Sequence, residues 1–274
     1  MAGTDVTIGG ASMLNPWRTE TFARGECGVV DDPTKNPAVR AKKQPAIELG
    51  GNTQFSGMKQ NYRASMDTRA RVGLDVNMDT AARQTHVDEY GRIGDSFVNY
   101  NIHAKIGYGL KVNEKISLGA NVASAYERLA ETKTSLAFTA DIGGLYNVTP
   151  RLNLGASIRN LGNSAEDGTV GGSYEMPALK GLKVFGEVDA SPFRAAISGE
   201  MPVSSFKVAA GVNYSPANGG IFQFSGGIEC RLNGSAYLNY AIQTHDLGLS
   251  HRAALTWRFG ENGIEGEKST KGVI

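Results

Sequence analysis

The sequence predicts an all-β protein, a transmembrane antiparallel up-and-down β-barrel of about fourteen strands with an N-terminal plug-like segment. Three observations lead to this prediction. Beyond Pro45, apolar and polar residues alternate in segments of about ten residues, which is typical of strands with one apolar face. Turn-forming residues separate these segments. Glycine is frequent, at 35 of 274 residues without a three-residue period, which suits a sheet with many turns and close strand contacts.

Charge and hydropathy exclude several classes of protein. The 28 basic and 27 acidic residues give a net charge of +1, so no long-range field attracts nucleic acid, and we expect no nucleic-acid partner. The sequence has no apolar run of about 18 residues, which excludes a transmembrane helix. Hydropathy does not exclude a membrane β-barrel, because the strands of such a barrel are apolar on one face only.

Residues 1–45 differ from the rest of the chain and are predicted to form a plug or a lead segment. They contain turn formers and a basic cluster, namely Asp31-Asp32-Pro33, Asn36-Pro37, Arg40, Lys42 and Lys43. The first residues lack a basic region followed by an apolar core, so we predict no signal peptide in this chain. At the other end, residues 260–274 place glycines among charges and are predicted to be a flexible tail.

Residues 46–259 form the predicted barrel. Within the segment 133–147, Leu136, Phe138 and Ile142 fall on one face, whereas Thr139 and Asp141 fall on the other. The same reasoning along the chain gives fourteen strands, at 46–54, 59–67, 70–79, 96–110, 114–128, 133–147, 151–161, 168–177, 181–190, 192–201, 205–215, 220–231, 235–244 and 249–259.

The lengths of the connections support this count and a location in the bacterial outer membrane. With both termini inside, one set of connections falls outside, at 80–95, 162–167, 215–220 and 245–248. A second, shorter set falls inside, at 112–114, 148–150, 202–204 and 232–234. Bacterial outer-membrane barrels have an even number of strands, short periplasmic turns and longer outer loops.

The polar faces of the strands favour an enclosed interior over a soluble sandwich. They carry small residues, asparagines and single charges of both signs, and aromatic residues gather near segment ends, as expected for rings at a membrane interface. The predicted lumen-lining residues are Arg63, Asp75, Lys105, Asp141, Arg159 and Arg231. These charges either line a permeation path or hold a plug, or they pair with one another as fillers of the interior.

Three stretches resemble the PorV/PorQ family of outer-membrane barrels, which is related to FadL-type transporters of hydrophobic compounds. The stretch from Val29 to Thr34, followed by Asn36-Pro37-Ala38, is similar to the N-terminal signature of the family. The strand end Ile158–Gly162 and the region 246–259 resemble a later strand end and the closing hairpin. The motif residues are Asp31, Asp32, Asn36, Pro37, Ala38, Asp246, Gly248, His251 and Arg252.

The resemblance implies a non-enzymatic role in type IX secretion. Barrels of this family receive exported cargo by its C-terminal signal domain and pass it on for surface attachment, so the expected partners are secreted cargo proteins and outer-membrane lipid. Two alternatives remain in the membrane, a FadL-like channel for hydrophobic small molecules and a structural barrel. A soluble β-sandwich is a further alternative.

The sequence offers no sign of an enzyme or of a cofactor. It contains no HExxH motif, no P-loop and no GxSxG elbow. His245, Asp246 and His251 lack the additional ligand spacing of a metal site, so we predict neither a metal nor a cofactor. Cys27 and Cys230 lie in no metal-ligand or redox spacing; we favour two unpaired thiols, and one disulfide between them is the alternative.

Overall fold

A computed structural model describes residues 18–259, except 25, 55–58, 82, 88–89, 130–132, 163–165, 180, 217–219 and 246–247. The predictions for residues 1–17 and for a tail at 260–274 therefore lie outside the described residues. Among the described residues, no helix is long and apolar enough to cross a membrane.

The structure confirms a closed antiparallel barrel of fourteen strands. The strands are β1 (Ala46–Gln54), β2 (Lys59–Asp67), β3 (Val72–Ala81), β4 (Gln84–Val87), β5 (Ile93–Phe97), β6 (Tyr100–Lys111), β7 (Ile116–Leu129), β8 (Lys133–Asn147), β9 (Leu152–Leu161), β10 (Asp167–Met176), β11 (Leu182–Ala190), β12 (Phe193–Val203), β13 (Phe206–Ser215), β14 (Ile221–Arg231), β15 (Ala236–His245) and β16 (Gly248–Arg258). All of these strands except β4 and β5 belong to the barrel, which closes where β1 pairs with both β2 and β16.

The connection between β3 and β6 differs from the prediction. We expected a link at 80–95 followed by a strand at 96–110, but residues Ile93–Phe97 pair with Gln84–Val87 as a separate two-stranded sheet. Strand β6 therefore begins only at Tyr100. The glycine-rich strand predicted at 168–177 is present as β10, which pairs with both β9 and β11.

The two faces of the barrel wall have opposite chemistry. On the outer face, Val122 is 58% and Phe138 is 65% exposed, whereas on the inner face Asn121 and Asp141 are each 1% exposed. Charged residues of the described barrel strands lie at inner positions or near strand ends. A continuous apolar outer surface of this kind is suited to lipid, and the polar set is enclosed.

Residues 18–45, here called the inner segment and described except for residue 25, lie within the barrel. Helix α1 (Thr19–Ala23) packs against β13 to β16, and a 3₁₀ helix (Pro37–Ala41) packs against β6, β7 and β8. The amide nitrogen of Ala38 donates to Asn36 Oδ1 over 3.0 Å, which caps the 3₁₀ helix. Because the segment touches the buried faces of strands on several sides of a closed barrel, it must lie inside it.

Candidate functional site

Basic residues of the inner segment pair with acidic residues of the wall on one side of the barrel. Arg18 donates to Glu48 Oε2 over 3.2 Å and to Asp67 Oδ2 over 2.6 Å. Arg40 donates to both Asp67 and Asp75. All five side chains are buried, so each charge depends on its partners for compensation.

A second ion-pair cluster holds the segment on the other side of the barrel. Lys35 pairs with Glu187 and lies 3.4 Å from Asp189 Oδ2. Arg194 of β12 donates to Glu187 Oε1 over 2.8 Å and to Asp189 Oδ2 over 2.7 Å. Lys35 of the segment and Arg194 of the wall therefore share the two carboxylates, and Arg159 lies 4.0 Å from Asp189 Oδ1.

Hydrogen bonds within the inner segment fix its own fold. Asp32 accepts from Thr21 Oγ1 over 2.7 Å and from the amide and hydroxyl of Thr34 over 2.8 and 2.6 Å. Burial opposes ionisation of Asp32, but the charges of Arg18 and Lys43 and these hydrogen bonds outweigh it and lower the pKa of the carboxyl to about 2. The second acid of the predicted motif, Asp31, accepts hydrogen bonds from Arg24.

Arg24 connects the segment to β11 and β12. Its guanidinium binds both oxygens of Asp31, over 2.5 and 2.9 Å, and donates to Glu200 Oε2 over 3.1 Å. It also lies 4.2 Å from the centroid of the Phe185 ring. Cys27 packs nearby against Phe185, and burial together with the negative charge of Glu187 raises the pKa of its thiol to about 11.

Glycines of the wall allow the chain of the inner segment to approach the strands closely. This glycine strip consists of inner positions on five neighbouring strands, β6 to β10: Gly107, Gly109, Gly119, Gly143, Gly155 and Gly171. Gly109, Gly119 and Gly143 lie directly opposite one another in register. A Cβ at Gly119 would collide with the backbone of Pro37 and Ala38, so only glycine fits there.

The ladder between β8 and β9 is interrupted next to this strip. Ala140 pairs with Leu161 but Ile142 pairs with Ile158, so two residues of β9 stand opposite Asp141. This arrangement is a β-bulge, which locally disrupts the ladder and bends the strand.

The bulge residues are both buried, and the acid opposite them is linked to the inner segment through Lys105. Arg159 and Asn160 are consecutive yet both buried, and Asn160 has a positive φ of 58°. The amide of Asn160 donates to Asp141 Oδ1 over 3.0 Å. Lys105 Nζ lies 2.7 Å from Asp141 Oδ2 and 3.3 Å from the carbonyl oxygen of Thr34.

Two adjoining hollows lie on the outer face of these strands. The upper hollow has a volume of about 770 Å³ and is lined mainly by outer residues of β7 to β11, including Ile142, Ile158, Gly168, Val170, Val188 and Ala190. The lower hollow has a volume of about 370 Å³ and lies towards the chain termini, lined by Ile116, Tyr146 and Leu154 among others. Both share Leu118, Gly144 and Ala156.

The interior also contains a cavity, and most of the residues that line it are charged or polar. It has a volume of about 320 Å³ and lies between the inner segment and the wall near the chain termini. Arg18, Lys43, Glu48 and Arg258 are among its lining residues. Such a lining suits water or a charged ligand better than an apolar one.

The structure buries five of the predicted lumen residues at inner positions, namely Arg63, Asp75, Lys105, Asp141 and Arg159. Arg231 was wrongly assigned to the interior. It lies exposed at the end of β14, where its guanidinium donates to the carbonyl oxygens of Asn233 and Gly234 in the following turn.

The motif residues of the closing hairpin separate onto different faces. His251 faces outward, and its Nδ1 lies 2.8 Å from the hydroxyl of Tyr240, whereas Arg252 is buried inside. Gly248 has a positive φ of 122°. Asp246 and the side chain of His245 lie outside the described residues. In the part of the chain that the structure describes, no group of His, Cys, Asp and Glu has the arrangement of a metal site.

Both cysteines are free. Cys27 is buried in the inner segment, whereas Cys230 lies at an outer position of β14. The barrel wall separates the two thiols.

Sequence reasoning missed the partners of the wall acids. It left open whether the inner charges hold a plug or pair with one another, and it named no partner in residues 1–45. In the structure, Asp67, Asp75, Glu187 and Asp189 bind Arg40 and Lys35 of the inner segment. A signal was present, because residues 1–45 carry a basic cluster and these acids all fall at inner positions of the alternation.

Comparison with solved structures relates the fold to that of channels and transporters. The chain superimposes on the toluene transporter TbuX of Ralstonia pickettii with a TM-score of 0.65 and 11% identity, over 90% of this chain and 99% of that one. For the Pseudomonas putida toluene transporter TodX, the TM-score is 0.61 and the identity 11%, over 89% and 96% of the two chains. No known family matches the sequence. No curated protein matches it either.

These similarities show that the chain shares the barrel fold of the two transporters. They give no support to the PorV/PorQ resemblance or to type IX secretion.

Proposed function

We propose that the protein is an outer-membrane channel of the FadL-like type that carries small hydrophobic molecules and releases them sideways through its wall at β8 and β9. One observation carries the proposal. The β-bulge opposite Asp141 lies directly beside the upper hollow, because Ile142 and Ile158, the first regular pair after the bulge, line that hollow. The interruption of the ladder between β8 and β9 therefore lies beside an apolar outer surface.

The ion pairs between the inner segment and the wall oppose a straight route along the barrel axis. An apolar molecule moving along the barrel axis would meet the ion pairs of Arg18, Arg40 and Lys35 with the wall. Displacing these pairs exposes buried charges without compensation, which costs several kcal/mol for each, on the order of the penalty known for broken buried pairs. We therefore propose that residues 1–45 act as a fixed plug of a barrel formed by residues 46–259.

The relation to the toluene transporters supports an apolar permeant. Those proteins share the fold over about nine tenths of this chain, and their names assign them toluene. The apolar lining of the upper hollow suits a molecule of the same chemistry.

Filling the upper hollow tests the route. A Cβ added at Gly168 would lie 3.9 Å from Ala190 Cβ, so Gly168→Phe places a ring in the hollow without a clash at the backbone. We expect the rate of toluene uptake by cells that make the variant to fall at least several-fold. Gly186→Phe is the matched control, because Gly186 also faces outward and nothing lies within 4 Å of its added Cβ.

The rates of toluene uptake by the two variants are compared once both variants show the same heat-modifiable migration as the parent. Equal uptake by the two variants, or an absence of toluene uptake by the parent, contradicts the proposed route. Co-purification of the parent with secreted proteins that carry a C-terminal signal domain would favour the secretion role instead.

A further inference from the structure

The cavity between the inner segment and the wall, here called the inner cavity, has a volume of about 320 Å³. Among the described residues that line it, four are basic and three are acidic, namely Arg18, Lys42, Lys43, Arg258, Glu20, Asp31 and Glu48. A charge that is taken out of water needs a partner. Any basic group that has no acid to pair with therefore determines which ligand the cavity binds.

The three acids of the lining already have cationic partners. The pairs are Glu20 with Arg258, Asp31 with Arg24, and Glu48 with Arg18 and Arg63. Glu20 also has a second cation, Lys207, whose Nζ lies 3.6 Å from its Oε1. The acids therefore compensate the two arginines of the lining and leave its two lysines unmatched.

Lys43 of the inner segment has no carboxylate within ion-pair distance among the described residues. The hydrogen bond that its ammonium group makes there runs over 3.4 Å to the carbonyl oxygen of Asp31, although an ammonium group has three donors. Burial and the positive charge of Arg18 lower the pKa of Lys43, even though more distant acids attract its charge. Lys42, by contrast, is exposed and donates to Asn147 Oδ1. Lys43 is therefore the cation that an anion in the cavity stabilises most.

Other hydrogen-bond donors surround the same cavity, on the inner segment and on the wall. The Nε atom of Arg18 is buried without a hydrogen-bond partner in the described chain. The hydroxyl of Thr256 in β16 accepts from Asn239 Nδ2 over 3.1 Å, so its hydrogen can be donated to a ligand. The side-chain amide of Gln44 completes this set. Donors on two sides suit an ion with several acceptor oxygens, because charge-assisted hydrogen bonds are strong.

We propose that the inner cavity binds one small oxyanion of the phosphate or sulfate class, held by Lys43 of the inner segment and Thr256 of the wall. The cavity is roughly ten times the volume of one liquid water, about 30 Å³, so the ion and several waters fit into it. A neutral polar ligand leaves the charge of Lys43 without compensation, and an apolar ligand leaves the donors of the lining without an acceptor. An ion bound to both residues adds a link between the inner segment and β16.

Isothermal titration calorimetry of the full chain with inorganic phosphate tests the proposal. The barrel is kept in a non-ionic detergent and in a constant background of sodium chloride, which screens the general attraction of anions. We expect one phosphate to bind to each barrel. Lys43→Gln should lower the affinity by roughly ten-fold or more, the usual effect of losing a charge-assisted hydrogen bond. Lys43→Arg keeps the charge and should bind phosphate more tightly than Lys43→Gln.

Two further variants locate the binding site. Val30→Phe enlarges a residue of the lining without changing its charge, and it should also weaken phosphate binding. Lys115→Gln is the matched control, because Lys115 is exposed and does not line the cavity. Its affinity for phosphate should equal that of the parent. The affinities are compared once every variant shows the same heat-modifiable migration as the parent.

The stability of the barrel gives a second readout. Phosphate should raise the urea midpoint of the parent more than that of Lys43→Gln, because a ligand stabilises the state that binds it. An equal rise in both proteins is the general effect of this salt and contradicts a specific link between the inner segment and the wall.

The calorimetry overturns the proposal if the parent binds no phosphate, or if Lys43→Gln binds it as tightly as the parent. An equal loss of affinity in Lys115→Gln shows a general attraction of anions to the barrel instead. Sulfate should compete with phosphate for the parent, and an absence of competition contradicts an oxyanion site. None of these measurements involves transport, so a failure of the toluene assay leaves their outcome independent.

Discussion

The inner segment is held in two different ways on different sides of the barrel. Across β6 to β10 it lies against the glycine strip, where contact depends on the absence of side chains. Against β1 to β3 and β11 to β12 it is held by buried ion pairs, such as those of Arg40 and Lys35. The first region therefore responds to added volume, and the second responds to removed charge.

Removing a charge from the ion-paired region should have the largest effect. Arg40→Met leaves Asp67 and Asp75 buried with reduced compensation, and we expect the free energy of unfolding to fall by about 3 to 5 kcal/mol. Urea titration of the detergent-solubilised barrel, followed by its heat-modifiable migration, measures this change. Adding Asp75→Asn to Arg40→Met should recover part of the loss, and a further loss in the double variant would contradict the ion-pair account.

Adding volume to the glycine strip should have the next largest effect, and neighbouring residues provide the control. Gly143 faces the inner segment, where an added Cβ collides with Asn36, whereas Gly144 faces outward, where an added Cβ makes only an ordinary contact with Leu118 at 3.7 Å. Gly143→Leu should therefore lower the free energy of unfolding by about 1 to 3 kcal/mol, the usual range for overpacking. Gly144→Leu should change it by less than about 0.5 kcal/mol. Equal effects in the same urea titration would show that the strip does not hold the segment.

The regular part of the fold was predictable because its signals are local. Alternation and turn chemistry placed strands at 46–54, 59–67 and 133–147, which are the observed bounds of β1, β2 and β8. The alternation also put Asp75 and Lys105 inside, since parity alone assigns the face.

The remaining features depend on contacts between distant parts of the chain. Lys35 and Glu187 are separated by 152 residues, so no local pattern connects them. The bulge breaks parity at Asn160, which alternation assigns to the outer face although it is buried. The role of Gly119 depends on the chain that passes over it and not on its own strand neighbours.

The separation of the two faces is the basis of the whole account, and spin labelling of adjacent residues tests it most directly. In a Cys230→Ser background, single labels are placed at Val122, which is 58% exposed, and at Ala123, which is 7% exposed. Collision rates with oxygen, which concentrates in lipid, and with a water-soluble nickel complex are then measured in bilayers. We predict frequent oxygen collisions at residue 122 and few collisions of either kind at residue 123. Comparable access of the nickel complex to both positions would contradict a lipid-facing outer surface.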